Sequence, residues 1–233
     1  MTPQPAIGRT HELSTTCRMF LVRHGTTTLN VENRYRGRRD IPLDAQGYED
    51  AVGAARRLSN VGLAAVYTGP LRRTIATAQI IADEARVPDL RILHGLNNLD
   101  YGAWEGMTAE EAAMYDPEAF EHYRTSPRTA ACPQGERLAD AKRRMLEALE
   151  LIASRHAGEA VAAVTHAVMI RLALMELSGI DGEGWRQPVR RGSVTEFRYE
   201  RGSVVVVPPG DDNGTAALGA TTAGAAARNG APH

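Results

Sequence analysis

Three short apolar, partly β-branched runs, CRMFLV (17–22), AAVYT (64–68) and AVAAVT (160–165), recur along a chain whose intervening stretches space Ala, Leu, Ile and Met as helices do, at 45–59, 71–86, 138–155 and 168–178. Strands that alternate with helices leave an α/β fold as the solution. A further segment, VTEFRYERGSVVVVP (194–208), reads as a terminal hairpin turning at Arg201 and Gly202. Such a sheet, covered by helices, takes its ligands in the crevice beyond the carboxyl ends of its strands.

Three of those strand ends carry chemistry. His24 follows the first strand in FLVRHGTTTLN (20–30), and His166 follows the strand that ends at Thr165. Arg72 and Arg73 sit in the turn that opens the helix over 71–86. A helix start offers free backbone N–H groups to an anion, and an arginine there adds a two-pronged donor. Arg23, His24, Arg73 and His166 together therefore point to an oxyanion pocket.

Composition narrows the partners. With a formal net charge of −1 over 233 residues, the chain has no global basic field for nucleic acid or an anionic membrane surface, so an anion must be met by locally gathered arginines. Of the 27 basic residues only Lys142 is a lysine. Cys17 and Cys132 have neither metal-type spacing nor a disulfide pattern, as expected of a reduced cytoplasmic protein. Neither a signal peptide nor a membrane span is expected, and the cytoplasm is the expected location. Residues 1–16 are expected to be a disordered segment, 17–207 a single domain, and the Gly-, Ala- and Thr-rich stretch 208–233 a disordered tail without chemistry.

LVRHGTTTLN (21–30) resembles the Arg-His-Gly signature of the histidine phosphatase superfamily, the group that includes cofactor-dependent phosphoglycerate mutases. The resemblance continues in the family's order through YRGRRDIPLDAQG (35–47), GPLRRTIATA (69–78), LDYGAWEGMT (99–108), PQGE (133–136) and AAVTHAVMIRLAL (162–174). It implies a three-layer α/β/α sandwich with a mainly parallel central sheet. It also implies that His24 is the nucleophile, that Arg23 and Arg73 hold phosphate, and that His166 is the second pocket histidine. Asn30, Arg36, Tyr101 and Ala167 fall on positions implied to contact substrate. Neither metal nor other cofactor is implied, and the expected partner is a small phosphorylated metabolite, with a homodimer as a candidate assembly.

On that basis His24 attacks phosphorus to give a phosphohistidine, Arg23, Arg73 and His166 neutralise the equatorial oxygens, and water then releases phosphate. The sequence departs from the family at the general acid. Where a glutamate usually precedes the YG pair by three residues, this chain has Asn98, and an amide donates no proton to a leaving alkoxide. Asp100 and Glu105 are the nearby carboxyl groups that could stand in. Gly69 replaces a common serine, and Ala167 and Val168 replace a glycine pair, adding side chains at the pocket wall. Residues 115–129 are expected to form a lid offering His122, Tyr123 and Arg124 to substrate. The expected function is a metal-independent phosphomonoesterase. The alternatives are a repurposed enzyme running a non-hydrolytic reaction on an anionic substrate, a phosphoglycerate-type mutase, and a non-catalytic binder of a phosphorylated ligand. The short interval between the two histidines favours phosphatase over mutase.

Overall fold

The computed structural model describes residues 16–178, 185, 188–200 and 203–207, together with the backbone of 223–224. The chain runs through β1 (Cys17–Arg23), α1 (Thr28–Val31), α2 (Ala45–Leu58), β2 (Leu63–Thr68), α3 (Arg72–Ala85) and β3 (Leu90–Ile92). It continues through α4 (Ala109–Tyr115), α5 (Pro117–Thr125), α6 (Leu138–Arg155), β4 (Ala160–Thr165) and α7 (Ala167–Leu177). It closes with β5 (Val194–Glu200), β6 (Ser203–Val207) and β7 (Ala223–Gly224).

The strands form one sheet in the order β3-β2-β4-β1-β5-β6-β7. β3, β2, β4 and β1 pair in parallel, whereas β5, β6 and β7 join by antiparallel pairing. Alternate side chains of β1 enter different layers, as the pleat requires. Met19 and Leu21 pack with Met145, Leu149 and Ile152 of α6 and Met169 of α7. Phe20 and Val22 pack with Ala54 and Leu58 of α2 and Ala78 and Ile81 of α3. Helices thus cover both faces, and the expected three-layer sandwich with a mainly parallel sheet is what the chain forms. Each large apolar side chain fully buried in these layers contributes roughly 1.5–3 kcal/mol.

Local chemistry explains where the helices begin. Asp44 caps α2 by accepting from the Gly47 N–H at 2.8 Å. Thr108 and Glu111 form a reciprocal capping box on α4, and Asp116 with Pro117 opens α5. α3 lacks a capping side chain of its own. Instead Asp40 reaches across from the loop between α1 and α2 and accepts the Arg72 N–H at 2.7 Å.

The strands and helices expected from periodicity are present to within a residue or two at each end, and the hairpin pairs as expected, Glu196 opposite Val207. Its turn at Arg201 and Gly202 lies outside the described residues. So do residues 1–15 and, the short β7 aside, 208–233, on which the two expected disordered segments fall. β3 is a three-residue strand whose Arg91 and Ile92 are exposed, too short and too polar to stand out in a hydropathy pattern. Among the described residues no helix is long and apolar enough to cross a membrane.

The loop after β1 lies directly on the first turn of α2. A Cβ on Gly25 would fall 2.1 Å from the Gly47 carbonyl oxygen, and one on Gly47 would fall 2.1 Å from the Thr26 carbonyl oxygen. A Cβ on Gly53, a second glycine of α2, would have nothing within 4 Å. The two should therefore respond to alanine with opposite signs. Gly53→Ala is expected to stabilise by about 0.5–1 kcal/mol through helix propensity, whereas Gly47→Ala is expected to cost about 1–3 kcal/mol by overpacking, both read from urea unfolding.

Candidate active site

β1 and β4 are neighbours in parallel, with Arg23 opposite Thr165, so the residues that follow them emerge together. The His24 N–H donates to the Thr165 carbonyl at 3.1 Å. The rings of His24 and His166 meet edge to face with centroids 5.0 Å apart. Both are almost wholly buried, at 1% and 2% exposure.

The tautomer of His24 follows from its partner. Nδ1 lies 2.6 Å from the Gly25 carbonyl oxygen, which only accepts, so Nδ1 carries the proton and Nε2 keeps its lone pair. Burial, then the charges of Arg73, Arg36 and Arg23, hold this imidazole well below its ordinary range, against the opposing Gly25 hydrogen bond. His24 is therefore a neutral imidazole whose Nε2 lone pair is free and fixed in direction. His166, at the N-cap of α7, is held neutral by burial and then by Arg73, His24 and Arg36, and neither of its ring nitrogens has a hydrogen-bond partner among the described residues.

Three guanidiniums surround this pair electrostatically. Arg23 donates through Nη1 to the Val189 carbonyl, and burial first, then Arg36 and Arg191, push it down to about 9. Burial likewise brings Arg36 to about 10 and, aided by the charge of Arg36, Arg73 to about 9. All three stay cationic at neutral pH. The fork of Arg73 is already engaged: Nη1 donates to the Arg39 carbonyl at 2.6 Å and Nη2 to the Gly37 carbonyl at 2.8 Å. In each of the three, Nε has no partner among the described residues.

Six of the ten buried side-chain polar atoms without a partner among the described residues belong to this neighbourhood: Nε of Arg23, Arg36 and Arg73, Oδ1 of Asn98, and both ring nitrogens of His166. An unmet buried polar group costs roughly 1–3 kcal/mol. A cluster of unmet donors is expected where a ligand brings the acceptors. Beside it opens a cavity of about 500 Å³, lined by Arg23, Arg36, Asn98, His166, Arg34, Arg171 and Arg191; His24 and Arg73 are not among its lining residues. Tyr35, Tyr101, Phe120, Tyr123 and Trp185 supply an aromatic wall. Neither Asp nor Glu is among the described residues that line it.

The remaining expected site residues divide. Asn30, Tyr101, Ala167 and Val168 line the cavity. Asn30 also caps α1, its Oδ1 accepting from the Thr27 N–H and hydroxyl at 3.0 Å each. Asn98 donates its amide at 2.9 Å to the same Gly37 carbonyl that Arg73 holds, which fixes Oδ1 as the atom left without a partner. Asp100 does not reach the cavity. Its carboxylate accepts the Gly102 N–H at 2.9 Å and faces Arg38 at 3.4 Å, so turn formation and an ion pair hold it elsewhere. Glu105 is likewise committed, accepting the Arg38 N–H at 2.6 Å. Of the lid residues on α5, Tyr123 and Arg124 line the cavity, whereas His122 bonds Thr129 at 2.8 Å on the exposed side.

The sequence motifs do not single out Arg171 or Arg191. Arg171 has a signal, since it interrupts an otherwise apolar stretch of α7, AVMIRLALM (167–175), on the helix that His166 opens. Arg191 has none, because its place depends on β5 lying antiparallel beside β1. Arg144 acts as a brace. Its guanidinium holds the carbonyls of Gly95, Asn97 and Asn98 at 2.7–2.9 Å and pairs with Glu136 of the PQGE segment, which fixes the backbone that carries Asn98. Among the described residues there is no group of three or more His, Cys, Asp or Glu placed to hold a metal ion.

Residues 19–212 match the family model of the histidine phosphatase superfamily, branch 1. Phosphoserine phosphatase 1 of Hydrogenobacter thermophilus is 34% identical over 164 residues, covering 70% of this chain and 77% of that protein. The metal-independent phosphoserine phosphatase of Arabidopsis thaliana is 33% identical, with 71% of each chain covered. The solved structure of Bacillus stearothermophilus YhfR superposes with a TM-score of 0.76 at 35% identity, over 82% of this chain and 95% of that one. Longer mycobacterial proteins match at 36% identity, and the matched region spans 48% of their length.

The two buried histidines set a sign for stability against pH. Their native pKa values lie below the unfolded value of about 6.5, so the unfolded chain takes up the proton first as pH falls. Their contribution is intact above that pH and is lost progressively below it. We expect the unfolding free energy from urea titration, measured in buffer free of phosphate and sulfate, to fall between pH 7 and 5 at up to about 1.4 kcal/mol per pH unit for each histidine. The double variant His24→Gln, His166→Gln should flatten that slope.

Proposed function

The chain belongs to the histidine phosphatase superfamily, branch 1, and is a phosphatase; from that premise we propose that it takes a phosphoryl group from a small phosphorylated metabolite in the cytoplasm, through a phosphohistidine on His24 and without a metal. The observation that supports this most is the coincidence of an imidazole whose Nε2 lone pair is free with three buried guanidiniums whose Nε donors are unmet.

In the first step Nε2 of His24 attacks phosphorus as the bond to the leaving oxygen breaks. Charge spreads over the three equatorial oxygens, where Arg23, Arg36, Arg73 and an N–H of neutral His166 receive it. Two of these donors are held before the substrate arrives, since the fork of Arg73 is anchored on Gly37 and Arg39 and Nη1 of Arg23 on Val189. In the second step water displaces the phosphoryl group from nitrogen and the imidazole returns to its neutral form. Two relatives are named for phosphoserine, so an amino acid phosphate is the first substrate to try.

His24→Ala is expected to abolish both turnover and the acid-labile phosphoenzyme trapped with radiolabelled substrate in chelator, while the melting temperature stays within a few degrees. Turnover near the wild-type rate would remove the phosphohistidine step.

Position 98 gives a second test. Its side chain faces the Gly37 carbonyl, so a carboxyl placed there is stabilised in the protonated form, as donor to that oxygen. Asn98→Glu should therefore install an acid, raise the rate on an alkyl phosphate about tenfold or more, and add a limb of falling activity on the alkaline side of the pH profile.

A further inference from the structure

Three of the unmet polar atoms around the histidines are guanidinium donors, whereas Oδ1 of Asn98 can only accept. Asn98 is 4% exposed and lines the cavity with Arg23, Arg36 and His166. Its amide is not free to turn over. The N–H end donates to the Gly37 carbonyl at 2.9 Å, and the reverse orientation would set oxygen against oxygen. The main chain is pinned as well: the Asn98 N–H donates to Oδ1 of Asn97 at 2.8 Å, and the Asn98 carbonyl accepts from Nη2 of Arg144 at 2.8 Å. Oδ1 is thus a buried acceptor fixed in direction, without a partner among the described residues.

That acceptor stands next to the cations. The Gly37 carbonyl receives both the Asn98 amide and, at 2.8 Å, Nη2 of Arg73, so the two side chains converge on one oxygen. Arg73 is in turn the charge that His24 and His166 each feel most strongly. Asn30, on the same cavity, is turned the opposite way, because its Oδ1 is spent on the N–H and hydroxyl of Thr27 and its N–H end is what it has left for a ligand. A ligand whose oxygens are all bare satisfies the guanidiniums and sets an oxygen against Oδ1. A tetrahedral oxyanion that keeps one proton satisfies both.

Resting on the reading of this cavity as a phosphoryl site, we infer that Asn98 selects oxyanions that still carry a proton, its Oδ1 accepting from a P–OH group while the guanidiniums take the bare oxygens. Inorganic phosphate, which the proposed reaction releases, has such a proton throughout the neutral range, and sulfate has none. A site with a fixed acceptor for a ligand hydroxyl rejects the analogue that lacks it, because the acceptor is then left buried and unpaired. The imidazoles of His24 and His166 also keep a lone pair each. Removing Asn98, rather than the preference by itself, therefore assigns the selection to this residue.

The test is calorimetric titration of the purified protein with inorganic phosphate and with sulfate, at pH 8 in chelator and a buffer free of other oxyanions. At that pH both anions are chiefly doubly charged and of one shape, and they differ by a proton. The wild type is expected to bind phosphate about tenfold or more above sulfate. Asn98→Leu, which keeps the branched shape and removes the acceptor, should shrink that ratio about fivefold or more. Asn98→Asp keeps an acceptor oxygen in either protonation state and should retain the preference. A structural defect, including loss of the Gly37 anchor, weakens both anions alike and leaves the ratio unchanged. A smaller preference in the wild type, a ratio that survives Asn98→Leu, or its loss in Asn98→Asp overturns the inference and leaves the phosphatase reading intact. Binding of neither anion at millimolar concentration overturns the reading of the cavity as a phosphoryl site.

Discussion

The hydrogen bond from the His24 N–H to the carbonyl of Thr165, the last residue of β4, carries the β1–β4 ladder one residue past the end of β1. Because the pairing is parallel, both chains turn out of the sheet at the same level, and the two residues that turn first are histidines. The sheet thereby brings together groups 142 positions apart in sequence, a separation read directly from their numbers, without a loop having to find its conformation. Gly25 and Gly47 extend the constraint to the next layer. Their backbones touch where a side chain has no room, so the loop after His24 rests on α2 rather than on a cushion of side chains.

That rigidity matters because the site is unfavourable on its own. Arg23, Arg36 and Arg73 are buried close enough to depress one another, and six polar atoms around them have no partner among the described residues. Left to relax, guanidiniums would swing to water or to carboxylates. Here carbonyls at Gly37, Arg39 and Val189 hold two of them in place without neutralising them. An anion bound there would relieve both the mutual repulsion and the unmet donors. Gly37 has a double part in this, since its carbonyl anchors Arg73 and also orients the amide of Asn98.

How much of this can be read in the sequence depends on whether the signal is local. β1, β2 and β4 with their helices are legible because burial imposes a pattern on adjacent residues, and the two histidines and Arg73 are legible because each sits at a strand end or helix start. β3 has only three residues and little burial to announce it. Asp100 and Glu105 look available because a sequence does not show that Arg38 and the Gly102 turn engage them first. Arg191 joins the cavity through antiparallel pairing of a strand far along the chain, which no neighbouring residue encodes. The Arg144 brace is of the same kind, reaching 46 to 49 positions back to three carbonyls.

Between β3 and α6 the chain leaves the sheet for a stretch that contains α4 and α5 and returns through an isolated bridge of Ala131 with Arg137. Phe120, Tyr123 and Arg124 of α5 reach the cavity, and Tyr123 is docked by edge contacts with Trp104 and Trp185 at 5.5 and 5.7 Å. Neither the histidines nor the buried guanidiniums come from this stretch. The wall of the cavity and the pair of histidines therefore belong to different parts of the chain, so a change at Phe120, Tyr123 or Arg124 reshapes what the cavity can admit while the parallel strands go on holding His24 and His166 at the same level.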